Sequence, residues 1–193
     1  HYRIKKKTSS ATLICPDKKD KRTLEGVKHL VKDKNRNVIW SLTSNLLKIA
    51  ANTETVTVIP QDISRMTSNQ YHNPLALLKN GNLIFGYNLE GVSIYNTEKN
   101  QRTSIALNVE DAENIFTEVF KEDSKGNIWI GTSKGLFIVD KNGKLLKSIN
   151  ENTNPALSKN NILDIYIDEN DKAWIGTFGG GLNIVEYNKE NQI

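Results

Sequence analysis

The sequence predicts an all-β protein of the β-propeller class, with about four four-stranded blades, read as a segment of a larger propeller. Three observations lead there. The stretch Glu122–Val139, EDSKGNIWIGTSKGLFIV, recurs 45 residues later as Asp168–Val185, DENDKAWIGTFGGGLNIV. A large aromatic stands at the centre of each unit, at Trp40, Phe85, Trp129 and Trp174, with spacings of 45, 44 and 45 residues. Each period holds four short apolar runs, and no segment sustains a 3.6-residue apolar period for three turns. A repeat of about 40–45 residues built from four strands is a propeller blade.

In chain order, Tyr2–Lys6 and Ala11–Cys15 read as the third and fourth strands of a blade, a half blade over residues 1–15 that stops at Pro16, which cannot donate to a sheet ladder. The first whole blade spans 27–59, with strands Val27–Lys32, Val38–Leu42, Leu46–Ala50 and Thr55–Ile59. A 13-residue connection, Gln61–Asn73, follows. The blade over 75–107 has strands Leu75–Lys79, Leu83–Tyr87, Val92–Asn96 and Thr103–Leu107, and its Asn80-Gly81 pair predicts a tight primed hairpin turn. The blade over 117–150 has Thr117–Glu122, Ile128–Thr132, Gly135–Val139 and Lys144–Asn150, with turns at Gly126-Asn127 and Asn142-Gly143. The stretch 163–193 is an incomplete blade: Leu163–Asp168, Ala173–Thr177 and Leu182–Glu186, with its last strand absent or reduced to Asn188–Ile193.

Blades stack face to face, so both faces of their inner strands are buried and those strands read as continuous apolar runs. The repeated aromatic fills the wedge between blades. Gly86, Gly131 and Gly176 suit a crowded position where another backbone comes close. Gly91, Gly135 and Gly181 suit the turn into the third strand.

Charge is unevenly spread. Residues 1–40 carry 12 Lys/Arg against 4 Asp/Glu, while 41–193 carry 14 against 18, so the net +4 belongs to one end. Those lysines flank strand-like runs, where they discourage edge-to-edge aggregation, and we expect no nucleic-acid partner. The single cysteine, Cys15, excludes an internal disulfide and a cysteine-rich zinc site. No apolar run is long enough to span a bilayer, so any membrane attachment is expected through segments outside this chain. The opening His1-Tyr2-Arg3-Ile4 reads as mid-strand, as expected for a piece of a longer protein.

The motifs that might carry chemistry read as architecture. Gly131-Thr132-Ser133-Lys134-Gly135 matches the nucleophile-elbow pattern, but that device needs a helix after the turn, and here another strand follows. Gly179-Gly180-Gly181 is followed by no Lys-Ser/Thr and no helix, so it reads as a turn with one inserted residue rather than a phosphate cradle. Asp168, Asn170 and Asp171, like Asp123 and Asn127, hint at calcium but lack the EF-hand order, and Asx-rich hairpin turns explain them. His1, His29 and His72 occupy unrelated repeat positions. No catalytic residue, metal ligand or cofactor is expected.

A binding face is another matter. Successive strands alternate in direction, so the second-to-third-strand turns and the blade-to-blade connections share one end of the blades. Tyr71, His72, Asn88, Glu90, Lys134 and Phe178, with Asn114, fall there. Such a mix of aromatics, amides and charges suits a sugar or a peptide, and equally an ordinary wetted surface.

The pattern D-x-x-G-N-I-W-I-G-T-x-x-G-L over Asp123–Leu136, in weaker form over Asp168–Leu182, resembles the two-component regulator propeller repeat. So does Asn154-Pro155-Ala156-Leu157-Ser158-Lys159-Asn160-Asn161, which is similar to that family's inter-blade linker. The likeness is tight over 117–186, looser over 75–107 and only positional over 27–59, where Ser41-Leu42-Thr43 replaces Gly-Thr. The resemblance implies the periplasmic sensor region of a hybrid two-component histidine kinase of the Bacteroides type, governing polysaccharide use. It implies no enzyme in this segment, a kinase elsewhere in the full protein, and an oligosaccharide ligand. Further expected partners are other propeller blades, or a second copy, through exposed edge strands. The competing classes are a propeller lyase or glycosidase and a plain protein-interaction propeller.

Overall fold

The computed structural model describes residues 2–4, 11–13, 27, 29–61, 74–87, 91–109 and 115–188. The chain divides into two compact units, His1–Met66 and Thr67–Ile193, where the sequence reads as one domain. The division falls within the connection Gln61–Asn73.

The first unit holds an antiparallel hairpin, β1 (Tyr2–Ile4) and β2 (Ala11–Leu13), and an antiparallel sheet in the order β3 (Leu30–Asp33), β4 (Val38–Leu42), β5 (Leu46–Ala50), β6 (Val56–Ile59). Its first strand starts at Leu30, three residues later than expected from Val27. Asp33 makes the β3–β4 turn: its carboxylate accepts the Asn35 and Arg36 amides at 3.0 and 3.1 Å and the Arg36 guanidinium at 2.8 Å. Trp40 is buried within the unit's core, along with Leu42, Leu46 and Leu47.

The second unit carries three sheets. They run β7 (Leu75–Leu77) to β10 through β8 (Leu83–Tyr87) and β9 (Gly91–Asn96), ending at β10 (Gln101–Ile105). Next come β11 (Thr117–Glu122), β12 (Ile128–Thr132), β13 (Gly135–Val139) and β14 (Leu145–Ile149). Last are β15 (Ile162–Ile167), β16 (Ala173–Thr177) and β17 (Gly181–Val185). Each is an antiparallel meander, and the first strands β7, β11 and β15 neighbour one another, as blades do around an axis. Every residue of β8, β12 and β13 is buried, matching the continuous apolar runs.

Two interlayer cores hold the blades together. Ile84, Val92 and Ile94 of the first of these sheets pack with Phe120, Ile128, Ile130 and Phe137 of the next. Trp129, Leu136 and Ile138 point from the opposite face into a second core with Ile162, Ile165, Ala173 and Ile175. Successive strand residues alternate faces, so β12 serves both cores.

That alternation corrects one anchor. Tyr87 pairs with Gly91 as Thr132 pairs with Gly135, which sets Ile84, not Phe85, level with Trp129. Phe85 points to the other face, where its ring meets Tyr87 edge-on at 5.5 Å and lies beneath the Arg102 guanidinium. A one-residue slip exchanges the two faces of a strand, and matching by side-chain size made that slip.

The glycine reading is corrected as well. A Cβ on Gly86 would meet Thr117 Cβ at 2.8 Å, and one on Gly131 would meet Ile162 Cγ2 and Val119 Cγ1 at 2.7 Å. What crowds these glycines is side chains, including those of the next blade's first strand, rather than backbone. Gly176 has nothing closer than the Asp164 carbonyl at 3.9 Å.

The Asn80-Gly81 turn is not the primed type. Only Gly81 has positive φ, at 82°, and its N–H bonds to the Leu78 carbonyl at 2.9 Å, inside a three-residue loop closed from Leu78 N–H to the Asn82 carbonyl. This is a type I turn followed by one left-handed residue. The loops at Gly126, Gly143 and Asp171 repeat it, the last with a non-glycine at φ 60°.

Candidate functional site

In the second unit the turns between second and third strands meet the blade-to-blade connections, as expected. Thr132 organises the first such turn: its hydroxyl donates to the Gly135 carbonyl at 2.8 Å and accepts the Lys134 amide at 3.0 Å. Ser133 then ties that turn to the incoming connection. Its amide donates to the Phe116 carbonyl at 2.9 Å, and its hydroxyl accepts the Phe116 amide at 3.1 Å. The elbow-like serine is thus a structural clamp. In the next blade the Phe178 amide donates to the Asn161 carbonyl at 2.8 Å, the same contact one repeat on.

Lys134 and Phe178 therefore occupy corresponding turns of adjacent blades on one end. Lys134 is half-buried and Phe178 is 67% exposed. Phe116, 43% exposed, joins this end; it was not singled out in the sequence, although its place just before a first strand, 45 residues ahead of Asn161, marks it as part of a connection. Tyr71, His72, Asn88, Glu90 and Asn114 lie outside the described residues, as do Cys15 and the lysines before residue 27.

The linker between the last two blades is built on the same end by polar clamps. Glu151 and Asn160 exchange bonds: the Glu151 amide donates to the Asn160 side-chain oxygen at 2.7 Å, and the Asn160 amide donates to the Glu151 carboxylate at 2.8 Å. Lys159 Nζ lies 3.0 Å from the same carboxylate. The Lys159 ammonium and the Asn160 amide hold the Glu151 carboxyl below its ordinary range. Leu157 drops from this linker into the second core.

Asn183 links linker and sheet. It accepts the Ser158 amide at 2.9 Å and donates to the Ser158 hydroxyl at 2.9 Å, and Ser158 in turn lies 3.2 Å from the Thr177 hydroxyl. The turn through Gly180 packs so closely here that a Cβ would lie 2.6 Å from Ser158 Oγ. It carries one residue more than the Ser133-Lys134 turn, as its sequence predicts. Beside this network is a cleft of about 260 Å³ lined by Ile149, Pro155, Ala156, Leu157, Val185 and Glu186, with Asn183 and Ile184 completing it. Apolar walls with one amide and one carboxylate suit a single ring or a short side chain. Sequence reasoning missed this cleft because linker and third strand are brought together only by the fold.

The opposite end carries the first-to-second-strand turns and spends its acidic groups on the fold. Asp123 Oδ1 accepts the amides of Lys125 at 3.0 Å and Asn127 at 2.8 Å; Oδ2 accepts the Trp129 indole N–H at 2.9 Å and the Tyr187 hydroxyl. Asp168 repeats this with the Asn170 and Lys172 amides and the Trp174 indole. Burial pushes the Asp168 carboxyl up, but these donors and the Lys172 charge outweigh it and hold it below its ordinary value. The residues that hint at calcium therefore have their partners within the chain.

Asp171 reaches across to the preceding blade and accepts the Ser124 amide at 2.8 Å and its hydroxyl. Burial raises its carboxyl, and the Ser124 donors with the Lys125 and Lys79 charges more than reverse that. Burial and the Asp123 carboxylate push the Tyr187 hydroxyl well above the usual tyrosine range. Among the described residues no group of three or more His, Cys, Asp or Glu is placed to hold a metal.

The sequence matches the two-component regulator propeller repeat over residues 111–134 and 156–179. In structure it is similar to the extracellular domain of a B. thetaiotaomicron protein assigned as a hybrid two-component system, with 26% identity and a TM-score of 0.65 over 90% of this chain and 23% of that one. It is also similar to the extracellular domain of a second B. thetaiotaomicron protein, assigned as a one-component system, with 21% identity and a TM-score of 0.67 over 84% of this chain and 22% of that one. Virginiamycin B lyase from Staphylococcus aureus shares the fold alone: 12% identity, TM-score 0.59, 86% of this chain and 57% of that one. The chain thus spans 22–23% of the length of the two sensor-type relatives. No curated protein matches it in sequence. No helix of the described residues is long and apolar enough to cross a membrane. The sheets of residues 117–149 and 162–185 are two-component regulator propeller repeats.

Proposed function

We propose that this chain is a ligand-sensing, periplasmic propeller segment of a hybrid two-component sensor kinase, that it responds to an oligosaccharide, and that it performs no catalysis itself. The observation that carries the reading is the repeat match at 111–134 and 156–179, supported by the likeness to the extracellular domain of a hybrid two-component system. Exposed Phe116 and Phe178 offer flat apolar faces of the kind that stack on sugar rings, and Lys134 stands in the corresponding turn as a donor. By their repeat positions Tyr71, His72, Asn88 and Glu90 belong to the same face.

Signalling on this reading is a shift between two arrangements of the sensor, driven by tighter binding to one of them. The kinase lies elsewhere in the full protein. Titration calorimetry of the chain against a panel of bacterial, plant and host oligosaccharides should find saturable binding without turnover. Phe178→Ala should weaken it about ten-fold, equivalent to about 1.4 kcal/mol. Release of a shortened sugar would identify an enzyme instead, and a panel with no binder would end the glycan reading.

A further inference from the structure

The sheet β15–β17 shows an apolar face whose counterpart one repeat earlier is completely covered. Cross-strand partners share a face, and in this sheet Trp174 pairs with Ile184 and Gly176 with Leu182. In the preceding blade the same register pairs Trp129 with Ile138 and Gly131 with Leu136. Trp129, Leu136 and Ile138 are 0% exposed because β15 and β16 pack on them. By contrast Leu182 is 64% and Ile184 52% exposed, with Trp174 half-buried between them and Tyr166 exposed at its side.

The two covered faces in this unit also show what the covering element looks like. Each places a β-branched residue, the first of the incoming blade's inner strand, over the glycine: Thr117 over Gly86, and Ile162 over Gly131. Gly176 keeps the same vacancy with nothing over it. A glycine has no packing reason to stand in an open strand, where it weakens the sheet relative to alanine. It has one if a side chain is to fill the space.

We propose that this face is the docking surface for a further blade of the same propeller, packed face to face rather than added at the strand edge. The incoming inner strand carries a β-branched residue over Gly176 and apolar residues against Trp174, Leu182 and Ile184. It also brings a hydrogen-bond donor for Asp164, which stands where Val119 stands in the covered face. A sheet of four short strands with these residues fits; a flexible peptide or a charged surface does not, because the face is two strands wide and apolar. This inference rests on the repeat geometry and is independent of the ligand.

The test introduces a thiol by Ile184→Cys in the protein as its source produces it, with Cys15→Ser so that one thiol remains. Maleimide labelling in native conditions should be slower than in denaturant by at least about ten-fold, at all protein concentrations. Leu146→Cys, on an exposed position of β14, should label rapidly and serves as the control. Native labelling at position 184 as fast as the control overturns the proposal, and so does protection that disappears on dilution, which would identify a second copy as the occupant. Gly176→Val gives a second readout. Its added carbons meet open space in the sheet itself, so it should lower the melting temperature of the source protein only because it blocks the incoming blade. An unchanged melting temperature overturns the proposal.

Discussion

Asp123 carries more of this fold than any one residue of the repeat motif. Nearly fully buried, it satisfies two turn amides, the Trp129 indole and the Tyr187 hydroxyl with two oxygens. The residue thereby connects a hairpin, the wedge tryptophan and the segment after the last strand. Asp123→Ala would leave the buried indole and hydroxyl without acceptors. We expect a loss of about 2–4 kcal/mol, because bonds to a charged acceptor are worth more than neutral ones and a buried orphan costs its desolvation. Urea unfolding followed by tryptophan fluorescence measures it, and a loss below about 1 kcal/mol would show that water replaces the carboxylate. The sequence shows the aspartate and the tryptophan in each repeat, six residues apart. Read as strings, they were a turn former and a core filler. Only the curl of the hairpin aims the spare oxygen back at the indole.

At the scale of strands and turns, the glycines sort themselves by what covers them. Gly131→Ala places a carbon 2.7 Å from Ile162 Cγ2 and Val119 Cγ1 and should cost about 1–3 kcal/mol through overpacking. Gly176→Ala, with its nearest neighbour at 3.9 Å, should change the stability of this chain by less than about 0.5 kcal/mol. Paired denaturation curves decide, and equal costs would refute the steric account. In sequence the two glycines are indistinguishable, both standing two residues after a tryptophan. Their difference belongs to the neighbouring sheet. The Phe85 assignment failed for a related reason: side-chain size is visible in a sequence, whereas strand register is settled by which face finds a partner. The hairpins were legible because an Asp or Asn and a Gly at fixed offsets act within five residues of each other.

For the whole molecule, acid should loosen the fold. Glu151, Asp168 and Asp171 all titrate below their ordinary values of 4.5, 3.8 and 3.8 in the folded chain. As pH falls, the unfolded chain takes up protons first. The stabilisation from these carboxylates is therefore complete above about pH 5 and is lost as pH drops through their depressed folded values. Melting temperature should hold steady from pH 7 to about pH 5 and fall steadily below about pH 4. A flat profile down to about pH 3 would mean that the clamps at Glu151–Asn160 and Asp171–Ser124 carry no stability. Glu151 lies on the candidate binding end, so loss of its clamp releases the linker beside Asn183 and the cleft as well.

What the sequence by itself determined is the repeat: its period, its four strands, its turn residues and the end of the blades on which Lys134 and Phe178 emerge. These follow from alternation and turn chemistry, which act over a few residues, and from repetition, which a single chain displays without any alignment. Tertiary structure alone decided which face each strand turns to its neighbour. It decided that the motif's acidic residues are consumed by indole and amide donors, that linker and third strand enclose a cleft, and that one tryptophan face is covered while its copy stands open. Those outcomes depend on contacts between residues a whole repeat apart, where packing rather than local preference sets the free energy.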